Sequence, residues 1–281
     1  MARTLIASLA IVLATGVMTL RVPPSHAAEP PGQASDSQSS PSYDAEAERQ
    51  LLDMANRDRA KAGLPPLQKD EGLAQAARAH ATAMAAQQKL SHQLSGEPKL
   101  LHRVVATTKT QFDRTGENVA FAGSVDQAHD SLMHSPPHRA NLLNAGYNVA
   151  GFSVVRSGSL LYVTQDFGHS LTTYSDDKAE VLVGRIVDRM RAQSGLPGLL
   201  RMDDKEAAAT ACAMADADSL RTPAPKARVV LRYTTAEPQV IPENSSRAIR
   251  NRAVRSFAVG SCYARTGSYP AGMYWVAILF Y

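Results

Sequence analysis

Three short segments between Gly116 and Gly168 hold the residues whose types and spacing suit chemistry: GENVA (116 to 120), SPPHRANLLN (135 to 144) and YVTQDFG (162 to 168). The first carries a carboxylate, Glu117, and the second an imidazole, His138, in turn-rich contexts on either side of one short predicted helix. The third reads as a strand. A carboxylate and a histidine held together by a small fold can bind a metal ion or move protons. They can equally hydrogen-bond to each other and hold loops against a core. Ser135 with His138 three residues on is no triad, because no acid is placed to orient the imidazole. Asp166 with His169 near the strand end is equally unsupported, and both pairs read as turn and surface residues.

The elements that must position these residues follow from periodicity and caps. A helix should begin near Asp44, with Asp44, Glu46 and Glu48 against the positive end of its dipole, and stop where Gly63 takes a left-handed cap before Pro65-Pro66. A second opens at Asp70 and spaces Leu73, Ala77, His80 and Met84 on one buried face, which makes His80 a core histidine before it is a site residue. Residues 91 to 123 then read as a long connection holding His92, His102 and the GENVA turn. Ser124-x-x-Gln127 is a capping box for a helix with Val125, Ala128 and Leu132 inward, and Pro136 ends it at Ser135. Tyr147 to Arg156 and Leu160 to Phe167, joined at Ser157-Gly158, read as a hairpin. Helices followed by an antiparallel pair make an α+β domain.

At 281 residues the chain has room for one large or two small domains. Arg3, the apolar run Leu5 to Leu20 and Ser25-His26-Ala27 read as a secretory signal (1-27) rather than a membrane anchor, since a spanning helix needs about 20 residues. Loss of Arg3 and Arg21 lowers the net charge from +4 to +2, which argues against a nucleic-acid partner. Residues 28-43, rich in Pro, Ser, Gln and Gly, read as a disordered tether.

The segment NRDRAKAGLPPLQKDEGLAQAARAHATAMA (56 to 85), the LSH at 90 to 92, GENVA, SPPHRANLLN and YVTQDFG stand in the order and spacing of the CAP superfamily, and the chain resembles its bacterial branch. That family comprises the cysteine-rich secretory, antigen 5 and pathogenesis-related proteins. The resemblance covers about 47 to 168 and implies an α-β-α sandwich around an antiparallel sheet, placed at 44-170, and an extracellular setting. It also implies a cleft in which histidines and acidic residues hold a divalent cation, zinc first. His92 matches the family's first histidine, Glu117 its first glutamate and His138 its second histidine. Ser135 stands where the second glutamate belongs, with Leu132 in place of a tryptophan, His134 as a substitute ligand and Asn118 beside the cleft. Three protein ligands would leave a position for an activated water. The alternative is that Glu117 and His138 hydrogen-bond across the cleft.

The second half (176-281) repeats the first at a shift of 132: Ala47-Glu48 falls on Ala179-Glu180, Gly63-Leu64-Pro65 on Gly195-Leu196-Pro197, and His80 on Cys212. At a shift of 109, Gly151 falls on Gly260 and Gly158 on Gly267; of SPPHRANLLN only Arg247-Ala248 remains, which puts His138 on Ser246, and Glu243-Asn244 offers a faint echo of Glu117-Asn118. This half contains no histidine, so it reads as a degenerate CAP-like copy without metal. Cys212 and Cys262 form a disulfide in an oxidising compartment or remain two buried thiols. Residues 221 to 265 hold nine Lys and Arg against two acidic residues, read first as a solvated face. MYWVAILFY (273 to 281) should be a buried central strand. The function expected is a non-catalytic extracellular binding module. The competitors are a metal-assisted hydrolase using His92, Glu117 and His138, and an envelope-structural or lipid- or sterol-binding protein.

Overall fold

Asp44 caps the first long helix by accepting a hydrogen bond from the Ala47 amide, which ties down one of the free N–H groups at a helix start. The structure is a computed structural model and describes residues 41–223 and 226–281. The signal segment and most of the tether lie outside the described residues. The first lobe runs β1 (Ser42–Tyr43), α1 (Ala45–Lys61), β2 (Gln68–Lys69), α2 (Glu71–Gln87), α3 (Leu100–Thr107), β3 (Gln111–Ala122), α4 (Val125–His134), α5 (Pro136–Leu142), β4 (Val149–Ser157) and β5 (Leu160–Leu171). Its sheet has the order β1-β4-β5-β3, antiparallel throughout, with β2 added parallel to β4. Tyr43, expected in the tether, is paired with Val155 in the sheet.

Helices α1, α4 and α5 cover one face of this sheet, burying Leu51, Leu132 and Leu142 against Phe152, Val154 and Phe167. On the other face α2 buries Met84 against Val119, Val155 and Tyr162, and α2 and α3 bury Leu73 and Val104 against Phe112. Each such side chain contributes about 1.5–3 kcal/mol of transfer free energy, so the two layers fix the sheet between them. Gly151 lets α2 lie directly on β4: a Cβ there would sit 2.0 Å from the Ala74 nitrogen.

Two expectations fail in the connection from 91 to 123. It contains α3 and all of β3, and GENVA is mid-strand, with Gly116 opposite Phe167 and Ala120 opposite Val163 on β5. The strand escapes an alternation test because Glu117 and Asn118 point to opposite faces and are both buried, so neither face reads as apolar. The other predicted caps and turns agree: Gly63 has φ of +71°, Ser124 caps α4 by accepting from the Gln127 amide, and the hairpin turns at Gly158 with φ of +58°.

The second lobe contains α6 (Asp176–Gln193), β6 (Leu200–Arg201), α7 (Lys205–Asp216), β7 (Val229–Thr235), a 3₁₀ turn (Glu243–Ser245), α8 (Ser246–Ile249), β8 (Ser256–Ala264) and β9 (Met273–Phe280). Its mixed sheet has the order β6-β8-β9-β7, so the apolar C-terminal run is a central strand, buried from Tyr274 to Phe280. Cys212 on α7 and Cys262 on β8 form a disulfide, with Cα atoms 5.0 Å apart. The lobes meet through Gln111, whose Nε2 donates to the carbonyls of Ala236 and Gly272, and through Arg265, which donates to those of Val105 and Thr110.

Two buried arginines make matching hydrogen bonds in the two lobes, which allows positions to be compared. Arg59 Nε donates to the Pro65 carbonyl and Nη1 to those of Leu142 and Asn144. Arg191 makes the same three bonds to Pro197, Ile249 and Asn251. The offset is thus 132 through α6 and 107 at the Ile249 turn, which puts His138 on Ser245 rather than Ser246. The helix cap moves from Asp70 to Asp204, an offset of 134, because Met202 and Asp203 are extra. His80 therefore falls on Met214, buried like it, and Cys212 falls on Arg78. Gly267 does not repeat Gly158: residues 265 to 272 join β8 to β9, and the positive φ lies at Gly272.

Candidate binding cleft

β3 is an edge strand, so its side chains are reached from both faces of the sheet and from its open side. Glu117 points toward α2 and α3 and is 8 % exposed. One carboxylate oxygen, Oε1, lies 3.0 Å from Nδ1 of His92, and Oε2 accepts from Nη2 of Arg103 on α3. Arg103 Nη1 also lies 2.9 Å from Glu97 Oε2, and Glu97 Oε1 is 2.7 Å from Nδ1 of the fully buried His80. His80 Nε2 donates to the Ser91 carbonyl at 2.8 Å, which holds the loop carrying His92 against α2. Burial raises the Glu97 carboxyl, but contacts from His80, the Leu94 amide and Arg103 outweigh it and hold the group below its usual range.

Asp166 stands opposite Glu117 in the β3–β5 register and is fully buried, not the surface residue expected. Its two oxygens have no hydrogen-bond partner among the described residues. Burial first, and the neighbouring Glu117 charge second, push its carboxyl well above the usual range. His169, the other half of that expected pair, bonds Asp113 instead at 2.8 Å.

The opposite face of β3 carries amides. Asn118 Nδ2 donates to the His138 carbonyl at 3.0 Å and to Gln165 Oε1 at 3.1 Å, while its Oδ1 accepts from Asn141 at 2.9 Å. Asn141 also donates to the Glu117 carbonyl. This network fixes α5 on the sheet, and Ser135 before Pro136 sets where α5 begins. His92 and His138 thus arrive from opposite faces and meet beside the β3 edge, ring centroids 6.2 Å apart. Burial, and the His92 ring beside it, lower the His138 imidazole below its usual value. His134 faces solvent on α4, bonded to the Asp130 carbonyl, and does not join them.

The expected ligand set is therefore brought together only in part. Among the described residues no three His, Cys, Asp or Glu side chains are grouped to hold a metal ion. Glu117 gives one oxygen to His92 and the other to Arg103, so it stands behind the first histidine rather than beside it. What the geometry brings together beside the β3 edge is the His92 and His138 pair, with Glu117 bonded behind His92. Glu97 and Arg103 were hidden in a presumed loop. The signal for Arg103 is its place beside Val104 on the inward side of LLHRVVAT, where the two are the buried residues. In the second lobe the cluster is gone: Gly260 faces Ala277 where Gly151 faces Asp166, and Ala277 faces Arg232 where Asp166 faces Glu117. Glu243 lies in the 3₁₀ turn and does not repeat Glu117.

Residues 52–167 match the model of the CAP, or cysteine-rich secretory protein, family, and this stretch is a CAP domain. The chain is 32 % identical over 132 residues to the uncharacterised protein YkwD of Bacillus subtilis, covering 46 % of this chain and 49 % of that protein. It is 34 % identical over 122 residues to the uncharacterised membrane protein YlbC of the same organism, covering 43 % of this chain and 34 % of that one. The chain thus spans about half and about a third of the lengths of these relatives. An extracellular protein of Bacillus anthracis containing an SCP domain aligns at 28 % identity over 43 % of this chain and 40 % of that one, with a TM-score of 0.39. No helix among the described residues is long and apolar enough to cross a membrane.

Proposed function

We propose that the protein is a non-catalytic binding module of the cell exterior, and that the His92–His138 cleft receives its ligand. One observation carries this reading. The carboxylates suited to acid/base work are bonded to their neighbours, Glu117 to His92 and Arg103, and Glu97 to His80 and Arg103, so among the described residues none of these carboxylates is free to act beside the two cleft histidines. What faces solvent is the His92 imidazole, its side chain 56 % exposed, with His138 half-buried beside it. The shared bonds of Arg59 and Arg191 support a second lobe descended from the same scaffold, shortened and stripped of the site.

A second reading keeps a divalent cation in the cleft. It is favoured by the Glu117 bond to His92 Nδ1, because a carboxylate on one ring nitrogen orients an imidazole and leaves the other nitrogen for a cation. A bound cation would supply charge for anchoring a ligand. One experiment separates the readings: zinc calorimetry and a panel of ester, peptide and phosphodiester substrates, run on the protein and on His92→Ala/His138→Ala. The binding-module reading expects no turnover that depends on the two histidines, and histidine-dependent hydrolysis would sink it. Zinc heat at micromolar affinity, about −8 kcal/mol, that disappears in the variant would establish the cation.

A further inference from the structure

We propose that the second lobe carries an anion-binding face, formed by Arg228, Arg247, Arg250, Arg252 and Arg255, that takes a flexible polymer bearing closely spaced phosphate groups. All five side chains are exposed. Arg201–Asp188 is the one ion pair of this lobe among the described residues, so the five guanidinium groups have no carboxylate partner there. Between residues 238 and 281 the chain has a single acidic residue, Glu243.

The face is held in place from below. Arg191, 1 % exposed, donates to the Ile249 and Asn251 carbonyls at 2.8 and 3.1 Å and pins the turn on which four of the arginines stand. The amides of Arg228 and Arg255 donate to the carbonyls of Phe280 and Tyr281 at the end of the central strand. Arg228 Nη1 reaches the Ala253 carbonyl at 3.3 Å, and Arg255 Nη1 those of Arg252 and Val254. Gathering like charges on one turn and the strand end beside it is unfavourable on its own and becomes useful when an anion neutralises them.

The first lobe supplies an internal control. In the register set by Arg59 and Arg191, positions Ala140, Leu143, Ala145 and Asn148 correspond to Arg247, Arg250, Arg252 and Arg255. One scaffold therefore carries four uncharged residues in one lobe and four arginines in the other, so the scaffold itself does not require them. Arginine's planar fork matches phosphate oxygens two at a time. Within 247 to 255 the large apolar residues, Ile249 and Val254, are buried, so nothing is offered for insertion into a bilayer. The segment has no aromatic residue on which a base could stack. A flexible phosphate polymer satisfies these constraints, and a lipid surface or a single-stranded nucleic acid satisfies them less well.

The test uses the full chain and fluorescently labelled long-chain inorganic polyphosphate, with phosphatidylglycerol vesicles as comparator. With about four phosphates neutralised, doubling the salt from about 0.1 to 0.2 M should weaken binding about sevenfold. Arg247→Gln/Arg250→Gln/Arg252→Gln/Arg255→Gln should bind at least about tenfold more weakly, as expected for loss of these contacts. Arg250→Gln/Arg252→Gln leaves the hydrogen bonds of Arg228 and Arg255 intact, so it should lose part of the affinity with an unchanged melt. Arg185→Gln/Arg189→Gln, exposed on α6, should behave as the parent. Undiminished polyphosphate binding by the quadruple variant, equal loss in the α6 control, no polyphosphate binding by the parent, or binding to vesicles alone would each overturn the proposal.

Discussion

Replacing Arg103 with methionine keeps most of its aliphatic bulk and removes the cation between Glu97 and Glu117. The arginine side chain is 6 % exposed, and the two carboxylate side chains are 14 % and 4 % exposed, so water cannot replace what is lost. Removing one partner of a buried ion pair typically costs about 3–5 kcal/mol, because the remaining charge stays buried. Here two carboxylates are left, beside an Asp166 whose carboxyl burial already pushes well above the usual range. For a compact unit of this size that loss corresponds to roughly 6–20 °C in melting temperature. Thermal and urea unfolding of Arg103→Met, Glu117→Gln and the double variant would read it. The double variant should recover part of the loss, because the neutral amide introduced by Glu117→Gln leaves no charge to strand, giving a coupling of at least about 1.5 kcal/mol. If Arg103→Met stays within about 1 kcal/mol of the parent, or if the two changes simply add, the network is not the determinant of stability argued here.

Asp166→Asn tests the raised carboxyl. The folded protein holds a proton there that the unfolded chain releases above about pH 4, so the stability this group confers is complete below that pH and lost as pH rises through its raised folded value. Relative to the parent, the asparagine variant should gain stability as pH rises above about 4, by up to about 1.4 kcal/mol per pH unit over which the folded group remains protonated. A pH-independent difference would contradict the assignment. For the disulfide, Cys212→Ser/Cys262→Ser opens a closed loop with a sequence separation of 50 and should destabilise the second lobe by up to about 4 kcal/mol. Two alkylated thiols in the unreduced, denatured protein would show instead that the pair is not bonded.

Much of the scaffold was written in local sequence. Asp44, Asp70 and Ser124 announce their helices through short side chains that accept from amides three residues on, and Gly63 and Gly158 mark turns that need positive φ. The five ordered motifs located the CAP domain, His92, Glu117 and His138. Local signals reach only a few residues along the chain, so they could not show that GENVA is an edge strand. That requires its pairing with β5, about 47 residues away at Asn118 and Gln165. Nor could they place Glu97, Arg103 and Asp166 around one carboxylate, since each lies on a different element and their buried charges imitate a loop or a surface. The comparison of the two lobes departs from a constant shift at α7 for the same reason: the caps Asp70 and Asp204 stand 134 apart while Arg59 and Arg191 stand 132 apart, which shows only once the strands and helices are packed. Sequence alone determined which helices form and which residues are available. Tertiary structure decided which of them share a dry space, and with that whether a carboxylate is bonded to its neighbours, as Glu117 is, or buried without a partner among the described residues, as Asp166 is.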